Sequence, residues 1–227
     1  LFQIIMIDIL LGGDNAVVIA LACRNLEHKQ RMQGIVWGTA GAIVLRVALI
    51  AFALTLLNIP FLKIAGALLL LWIGVKLLLP DDHHHDNIKS ASSVWSAVKT
   101  ILIADFVMSL DNVIAIAGAA QNTIPDHQLG YVIFGLLLSV PIIIWGSTLV
   151  LKLIDRFPSV VTFGGALLGW IAGGMLVTDV VVANQIGEVT SLVKLAAEAV
   201  GAILVVVLGK WLAARKNATK GAINESV

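Results

Sequence analysis

Long apolar runs, separated by short polar or proline-containing segments, dominate the hydropathy pattern of this chain. Each run is long enough to cross about 30 Å of hydrocarbon as an α-helix. The turn-forming segments Asn-Ile-Pro at 58–60 and Pro-Asp-Asp at 80–82 end two of the runs. The pattern predicts an all-α, polytopic membrane protein with seven transmembrane helices, at 1–22, 33–57, 61–79, 94–120, 129–153, 160–183 and 191–213.

Positively charged residues cluster near one predicted membrane face. Of the 15 Lys and Arg residues, only Lys63 and Lys194 lie near the other face, and Arg46 lies in the middle of the second helix. The positive-inside rule therefore predicts an external N-terminus and a cytoplasmic C-terminal tail at 214–227. We accordingly expect a multi-pass protein of the inner (plasma) membrane. Because the chain begins at Leu1 rather than Met, we expect the first helix to start before this residue.

Two of the apolar runs carry the same polar pattern. Asp8 is followed after five residues by Asp14-Asn15, and Asp105 is followed after five residues by Asp111-Asn112. The two copies lie 97 residues apart (105 − 8). Each Asp at a membrane-helix centre costs about 3 kcal/mol, so four would cost on the order of 10 kcal/mol. A bound cation is the simplest way to neutralise them.

The duplication extends beyond the carboxylates. Residues 65–69 (Ala-Gly-Ala-Leu-Leu) recur at 164–168 (Gly-Gly-Ala-Leu-Leu), and Gly38 matches Gly135. Because each copy contains three spans, the second copy is expected to cross the membrane upside down, which is typical of secondary transporters. Duplication in a bundle that transports nothing stays open. We predict one transporter domain at 1–213, with repeat A at 1–79, a cytoplasmic loop at 80–93, repeat B at 94–183 and an extra helix at 191–213.

Helix geometry limits how each motif can bind an ion. Asp8 and Asn15 lie on one face of an ideal helix, whereas Asp14 points about 120° away. We therefore expect the backbone to open at Gly12-Gly13, and Ser109 in the second copy to bond back to its own helix. The predicted metal ligands are Asp8, Asp14, Asn15, Asp105, Asp111 and Asn112, with Gly12, Gly13, Ser109 and Arg46 as helpers.

The ligand chemistry favours a hard divalent cation over Na⁺. Carboxylate and amide oxygens suit Mn²⁺, Ca²⁺ and Mg²⁺, and we expect the ion as a substrate rather than as a permanently bound cofactor. Carboxylates without metal would take up protons, which offers a route to proton exchange. Alternatively, one Asp forms a static ion pair with Arg46. That cannot hold for all four, because Arg46 is the only mid-membrane cation in the sequence.

The segments Gly-Gly-Asp14-Asn15-Ala and Ser-Leu-Asp111-Asn112-Val, with the seven predicted spans, resemble the TerC family of integral membrane proteins, and in particular its YjbE-type subgroup. The resemblance covers about residues 1–213. It implies membership of the lysine-exporter-like transporter superfamily and export of metal ions, especially manganese. It also implies that the family's intramembrane acidic residues correspond to Asp8, Asp14, Asp105 and Asp111, with Asn15 and Asn112 beside them.

Composition and minor motifs add little to this interpretation. Charged residues make up only 13% of the chain, about half the fraction of a soluble domain, and the net charge of +1 gives no indication of nucleic-acid binding. The single cysteine, Cys23, can form neither an internal disulfide nor a thiolate metal cluster. His83, His84 and His85 in the predicted cytoplasmic loop either capture metal or form a solvated loop.

The leading prediction is a secondary transporter, not an enzyme, that exports Mn²⁺ or another divalent cation, with the lipid bilayer as its other partner. Three alternatives stay open: an exporter of another small solute, a non-transporting metal-binding accessory, and, least favoured, an intramembrane aspartyl protease using Asp14 and Asp111. Small residues such as Gly169 and Gly173 allow close helix contact within the bundle or in a homodimer.

Overall fold

A computed structural model describes residues 2–51, 59–79, 90–121, 128–187 and 189–224, with side chains for 13–49, 59–79, 94–110, 134–185, 187 and 189–216. All regular secondary structure in these residues is α-helical, as predicted. Eight helices are described: α1 Phe2–Cys23, α2 His28–Ala51, α3 Leu62–Leu78, α4 Ser90–Gln121, α5 Gln128–Arg156, α6 Ser159–Val177, α7 Val180–Ile186 and α8 Ser191–Asn224.

Each of the seven predicted spans overlaps a helix. Four segments among the described residues are both long and apolar enough to cross a membrane, and α1 contains a shorter apolar segment at Gly13–Cys23. The count of seven membrane crossings stays a prediction. The four segments are His28–Leu49, Phe134–Arg156, Ser159–Val177 and Ser191–Lys216.

Two predicted helix boundaries are wrong. The run at 160–183 is divided, because Asp179 begins α7 as its N-cap and accepts a hydrogen bond from Val181 N at 2.9 Å. The last helix continues to Asn224 instead of ending near 213. Its end was predicted from polarity, but the Ala, Lys and Arg residues there are strong helix formers.

The chain divides into two compact units, and the first contains α1, α2, α4 and α5. Within it, α1 and α4 contact each other, α2 packs mainly on α4, and α5 packs mainly on α1. Ile101 and Leu102 of α4 pack against Gly38 and Gly41 of α2, where a Cβ would collide with them. The buried face of α2 repeats with helical periodicity through Ile35, Thr39, Ala42, Arg46 and Leu49.

The second unit contains α3, α6, α7 and α8. Gly169 and Gly173 of α6 lie against the backbone of Gly201 and Ala197 of α8, so closely that a Cβ on either α6 glycine would collide with it. Both pairs have the four-residue spacing that brings membrane helices into backbone contact. The predicted contribution of these small residues to packing within the bundle is therefore confirmed.

A buried carboxylate also organises the second unit. The Asp179 side chain is 1% exposed, and its Oδ2 accepts hydrogen bonds from Lys63 N at 3.1 Å and Ile64 N at 3.3 Å, in the first turn of α3. Together with its bond to Val181, it satisfies N–H groups at the start of two helices. Asp179 therefore joins α3 to α7.

Candidate functional site

The first motif lies in a continuous helix. The predicted opening at Gly12-Gly13 is not found, since α1 is α-helical from Phe2 to Cys23. Backbone hydrogen bonds in apolar surroundings are costly to break, which outweighs the low helix preference of glycine. Asp14 is half-buried, Asn15 is buried, and a Cβ on Gly13 would meet no described atom within 4 Å.

The second motif contributes one half of a buried ion pair. Nη2 of Arg46 on α2 lies 2.6 Å from Oδ1 of Asp105 on α4, and each side chain is 5% exposed. Arg46 reaches α4 because it lies on the buried face of α2, and the Gly38 and Gly41 contacts bring the two helices close. A charge-assisted hydrogen bond of this length, shielded from solvent, is a strong one.

Ser109 completes this arrangement. Its Oγ accepts a hydrogen bond from Arg46 Nε and donates one to Asp105 Oδ2, each at 3.3 Å. The expectation that Ser109 bonds to its own helix is met through a side chain, since Asp105 lies one turn earlier on α4. Arg46, Asp105 and Ser109 therefore form a closed triangle of hydrogen bonds, which we call the Arg46 triangle.

The same guanidinium also faces the first motif. The Asp14 carboxylate on α1 lies close enough to Arg46 for electrostatic attraction. Arg46 is thus paired with Asp105 of the second motif and also attracts Asp14 of the first, without a hydrogen bond between them among the described contacts. The first unit therefore brings together Asp14, Arg46, Asp105 and Ser109, four of the ten predicted ligands and helpers.

Three of the other predicted ligands lie where no side chains are described. Asp8, Asp111 and Asn112 belong to α1 and α4, but their side chains, like the whole histidine segment 83–85, fall outside the described residues. Among the side chains that are described, no group of three or more His, Cys, Asp or Glu residues could hold a metal. The six-residue ligand set stays a prediction. Asp105 forms an ion pair with Arg46, which is the geometry expected from the alternative in which one Asp is paired with this arginine.

One buried polar residue was missed in the sequence. Thr39 is 2% exposed, and its Oγ1 has no hydrogen-bond partner among the described residues. Thr39 precedes Arg46 by seven residues and therefore lies on the same face of α2. This spacing from the only mid-membrane arginine is the signal that would have identified it.

A family model described as "Integral membrane protein TerC family" matches residues 1–217. The chain is 46% identical over 179 residues to the uncharacterized membrane protein YjbE of Bacillus subtilis strain 168, covering 79% of each chain. It is 25% identical over 179 residues to YceF of the same strain, covering 75% of this chain and 67% of YceF. It is 27% identical over 172 residues to the inner membrane protein YgdQ of Escherichia coli K12, covering 68% of this chain and 70% of YgdQ. No solved structure matches the chain.

Proposed function

Because the chain belongs to the TerC family of integral membrane proteins, as the doubled motif predicted, we propose that it is a secondary transporter that exports divalent metal ions, with Mn²⁺ as the expected substrate and protons as the exchanged ion. The observation that carries this proposal is the buried ionic cluster in the first unit. Asp14 on α1 and Asp105 on α4 come from the two copies of the motif, and both interact with Arg46 on α2.

The energetics of charge burial support a functional role for this cluster. Ionisable residues inside membrane helices are costly and mark substrate or ion pathways far more often than they serve packing. An ion pair alone is weak evidence of stabilisation, because desolvation of both charges offsets much of their attraction. Asp14 and Asp105 bring two carboxyl groups to one buried arginine, and carboxylate oxygens are ligands that suit a hard divalent cation.

The helix packing supports the proposed inverted repeat. In the predicted duplication, α1 corresponds to α4, and α2 to α5. The packing follows this correspondence. α2 of repeat A packs on α4, the first helix of repeat B, and α5 of repeat B packs on α1, the first helix of repeat A. The two units also each draw corresponding helices from both copies: α1, α2, α4 and α5 in one, and α3 with α6 in the other. Units that combine corresponding helices of two repeats are expected in a transporter with pseudo-two-fold symmetry.

The remaining parts of the proposal follow from the sequence. The ligands would come from the two motifs, with Asp8, Asp14, Asn15, Asp111 and Asn112 as the candidates beside the Arg46–Asp105 pair. These oxygen donors suit Mn²⁺, with Ca²⁺ or Mg²⁺ as alternatives, and they would take up protons after the metal leaves. The protein would lie in the inner membrane with its C-terminus in the cytoplasm, act without a permanently bound cofactor and catalyse no chemical reaction.

A second candidate is a metal-binding accessory that transports nothing. It is favoured by the Arg46–Asp105 pair, because a static ion pair needs no exchange of ligands. The two candidates differ in one consequence. A transporter changes the metal content of the cell, whereas an accessory binds metal without changing the steady-state content through its own turnover.

The test uses a strain in which the gene is deleted, complemented with the parent, Asp14→Asn or Asp155→Asn. Asp155 is a matched control, since it is an exposed carboxylate in the same unit that pairs with Arg31. We expect the deletion to raise cellular Mn²⁺ and Mn²⁺ sensitivity, and the parent and Asp155→Asn, but not Asp14→Asn, to reverse both. Unchanged content of every divalent metal in the deletion strain, or full complementation by Asp14→Asn, would contradict the proposal.

A further inference from the structure

The two copies of the motif differ at the residues that make the Arg46 triangle. At the 97-residue offset that superposes the copies, Arg46 of α2 corresponds to Ile143 of α5, and Ser109 of α4 corresponds to Gly12 of α1. Ile143 is buried but apolar. Both components that hold Asp105 are therefore missing at the positions that would hold its counterpart, Asp8. The two copies therefore differ at both positions that hold the carboxylate of Asp105. This points to different roles for the two copies.

From this asymmetry we propose that Arg46 is a tethered counter-ion that keeps Asp105 out of the coordination shell of the transported cation, so that Asp105 anchors Arg46 beside the ligands instead of binding the metal. The inference rests on the proposed function and refines its site. Arg46 is then a positioning residue that adjusts the affinity for the substrate through its charge.

The geometry of Asp105 supports the anchoring role. Its Oδ1 is bound by the guanidinium of Arg46 at 2.6 Å and its Oδ2 by the hydroxyl of Ser109 at 3.3 Å. A metal ion approaching either oxygen would have to displace a hydrogen bond and come close to the positive charge of Arg46. Ser109 is 0% exposed, so the triangle is closed to solvent as well.

The anchored charge of Arg46 affects how strongly Asp14 can bind a cation. Asp14 is attracted to the same guanidinium, so a cation that binds Asp14 does so next to a fixed positive charge. This charge lowers the affinity of Asp14 for a divalent ion without removing the ligand. A transported ion must bind strongly enough to enter the site and weakly enough to leave it. We infer that the triangle, by fixing the guanidinium of Arg46, sets this balance.

The inference is tested by Mn²⁺ binding to the purified full chain in detergent, measured by titration calorimetry. The central variant is the double substitution Arg46→Gln with Asp105→Asn, which replaces a buried charge pair with two neutral side chains of similar size and should retain the fold. We expect its Kd for Mn²⁺ to stay within about threefold of the parent. We expect Asp14→Asn in the same assay to weaken binding at least about tenfold.

The single variants separate a counter-ion from a purely structural pair. Arg46→Gln removes the positive charge and releases Asp105, so we expect Mn²⁺ to bind about tenfold more tightly. Asp105→Asn removes the anchor, and we expect Arg46 then to turn toward Asp14. Mn²⁺ should therefore bind more weakly, and adding Arg46→Gln should restore the affinity. A purely structural pair would leave the Kd of every folded variant unchanged.

Three results of these Mn²⁺ titrations would contradict the inference. If the double variant loses Mn²⁺ binding as Asp14→Asn does, Asp105 is a ligand and the inference is wrong. If the double variant and a folded Arg46→Gln protein both keep the parental Kd, the pair is structural and the inference is also wrong. If the parent itself binds no Mn²⁺, the proposed function is wrong, and the inference that rests on it is wrong as well. This outcome is distinguishable from the other two, because it is seen in the parent and not in a comparison of Kd values between variants.

Discussion

Asp105 in the first unit and Asp179 in the second are both buried carboxylates, 5% and 1% exposed, but different partners hold them. Asp105 is held by side chains, the guanidinium of Arg46 and the hydroxyl of Ser109. Asp179 is held by three backbone N–H groups at the starts of two helices. Backbone donors cannot move away without unwinding a helix, whereas an arginine side chain can change partners. The first arrangement therefore depends on a charge carried by another helix, whereas the second is a fixed joint made by the backbone.

The packing around the two carboxylates differs in the same way. In the second unit, Gly169 and Gly173 place α6 in direct backbone contact with α8. In the first unit, side chains separate the helices, as where Ile101 and Leu102 pack onto the glycines of α2. Substitutions should therefore disturb the second unit through steric collision and the first through charge. Four stability predictions follow the comparison, from the largest effect to the smallest.

Replacing Asp105 with Asn should have the largest effect on stability. It removes one member of a buried charge pair, which typically costs about 3 to 5 kcal/mol. The double variant with Arg46→Gln should recover most of that loss, because both charges of the pair are then removed. Thermal unfolding in detergent measures both. If the single variant is as stable as the parent, the pair is not a stable feature of the first unit.

Gly173→Val tests the backbone contact between α6 and α8. A side chain at this position would collide with the backbone of Ala197, so we expect a loss of about 3 kcal/mol or failure to accumulate. Gly146→Ala is the control, since among the described side chains its Cβ would meet only Ala16, at 3.4 Å. Yield and the unfolding midpoint report both variants. Equal stability of the two would show that α6 and α8 are not in close contact.

Asp179→Ala tests the joint between α3 and α7. The substitution removes the acceptor of three backbone N–H bonds, and we expect a loss of about 2 kcal/mol. Asp179→Asn keeps an oxygen acceptor and should lose about half as much. Both are compared by thermal unfolding. An Asn variant that is less stable than the Ala variant would show that the carboxylate has a role other than capping.

Lys194→Ala should have the smallest effect. Lys194 and Glu198, one helical turn apart, are paired at 3.9 Å, but the lysine side chain is 53% exposed. Exposed pairs contribute about 0.5 kcal/mol or less, so the unfolding midpoint should hardly move. Added salt should also change it little. A loss as large as that of Asp179→Ala would mean that this pair supports the second unit.

The helices could be predicted from the sequence because hydropathy is a local property. The apolar runs identified α1 to α6 and α8. The division at Asp179 could not be predicted, since the apolar pattern continues on both sides of it. It depends on N–H groups of Lys63 and Ile64, which are more than 100 residues away in the chain.

The candidate site could be predicted only as a set of residues. Four equivalent Asp residues and one arginine do not reveal which Asp is paired, because that depends on how α2 packs against α4. The contacts at Gly38 and Gly41 decide it in favour of Asp105. The sequence did contain the asymmetry between Arg46 and Ile143, but its meaning becomes visible only once Arg46 is seen to bind Asp105.

The account depends most on Asp14 as a ligand of a transported cation. The most direct measurement is Mn²⁺ flux into proteoliposomes that contain the purified full chain, started by a Mn²⁺ gradient and repeated with an opposing proton gradient. We predict flux for the parent and for Asp155→Asn, acceleration by the opposing proton gradient, and a loss of at least about tenfold in Asp14→Asn. Parental flux in Asp14→Asn protein, or no flux of Mn²⁺ in the parent, would contradict the account.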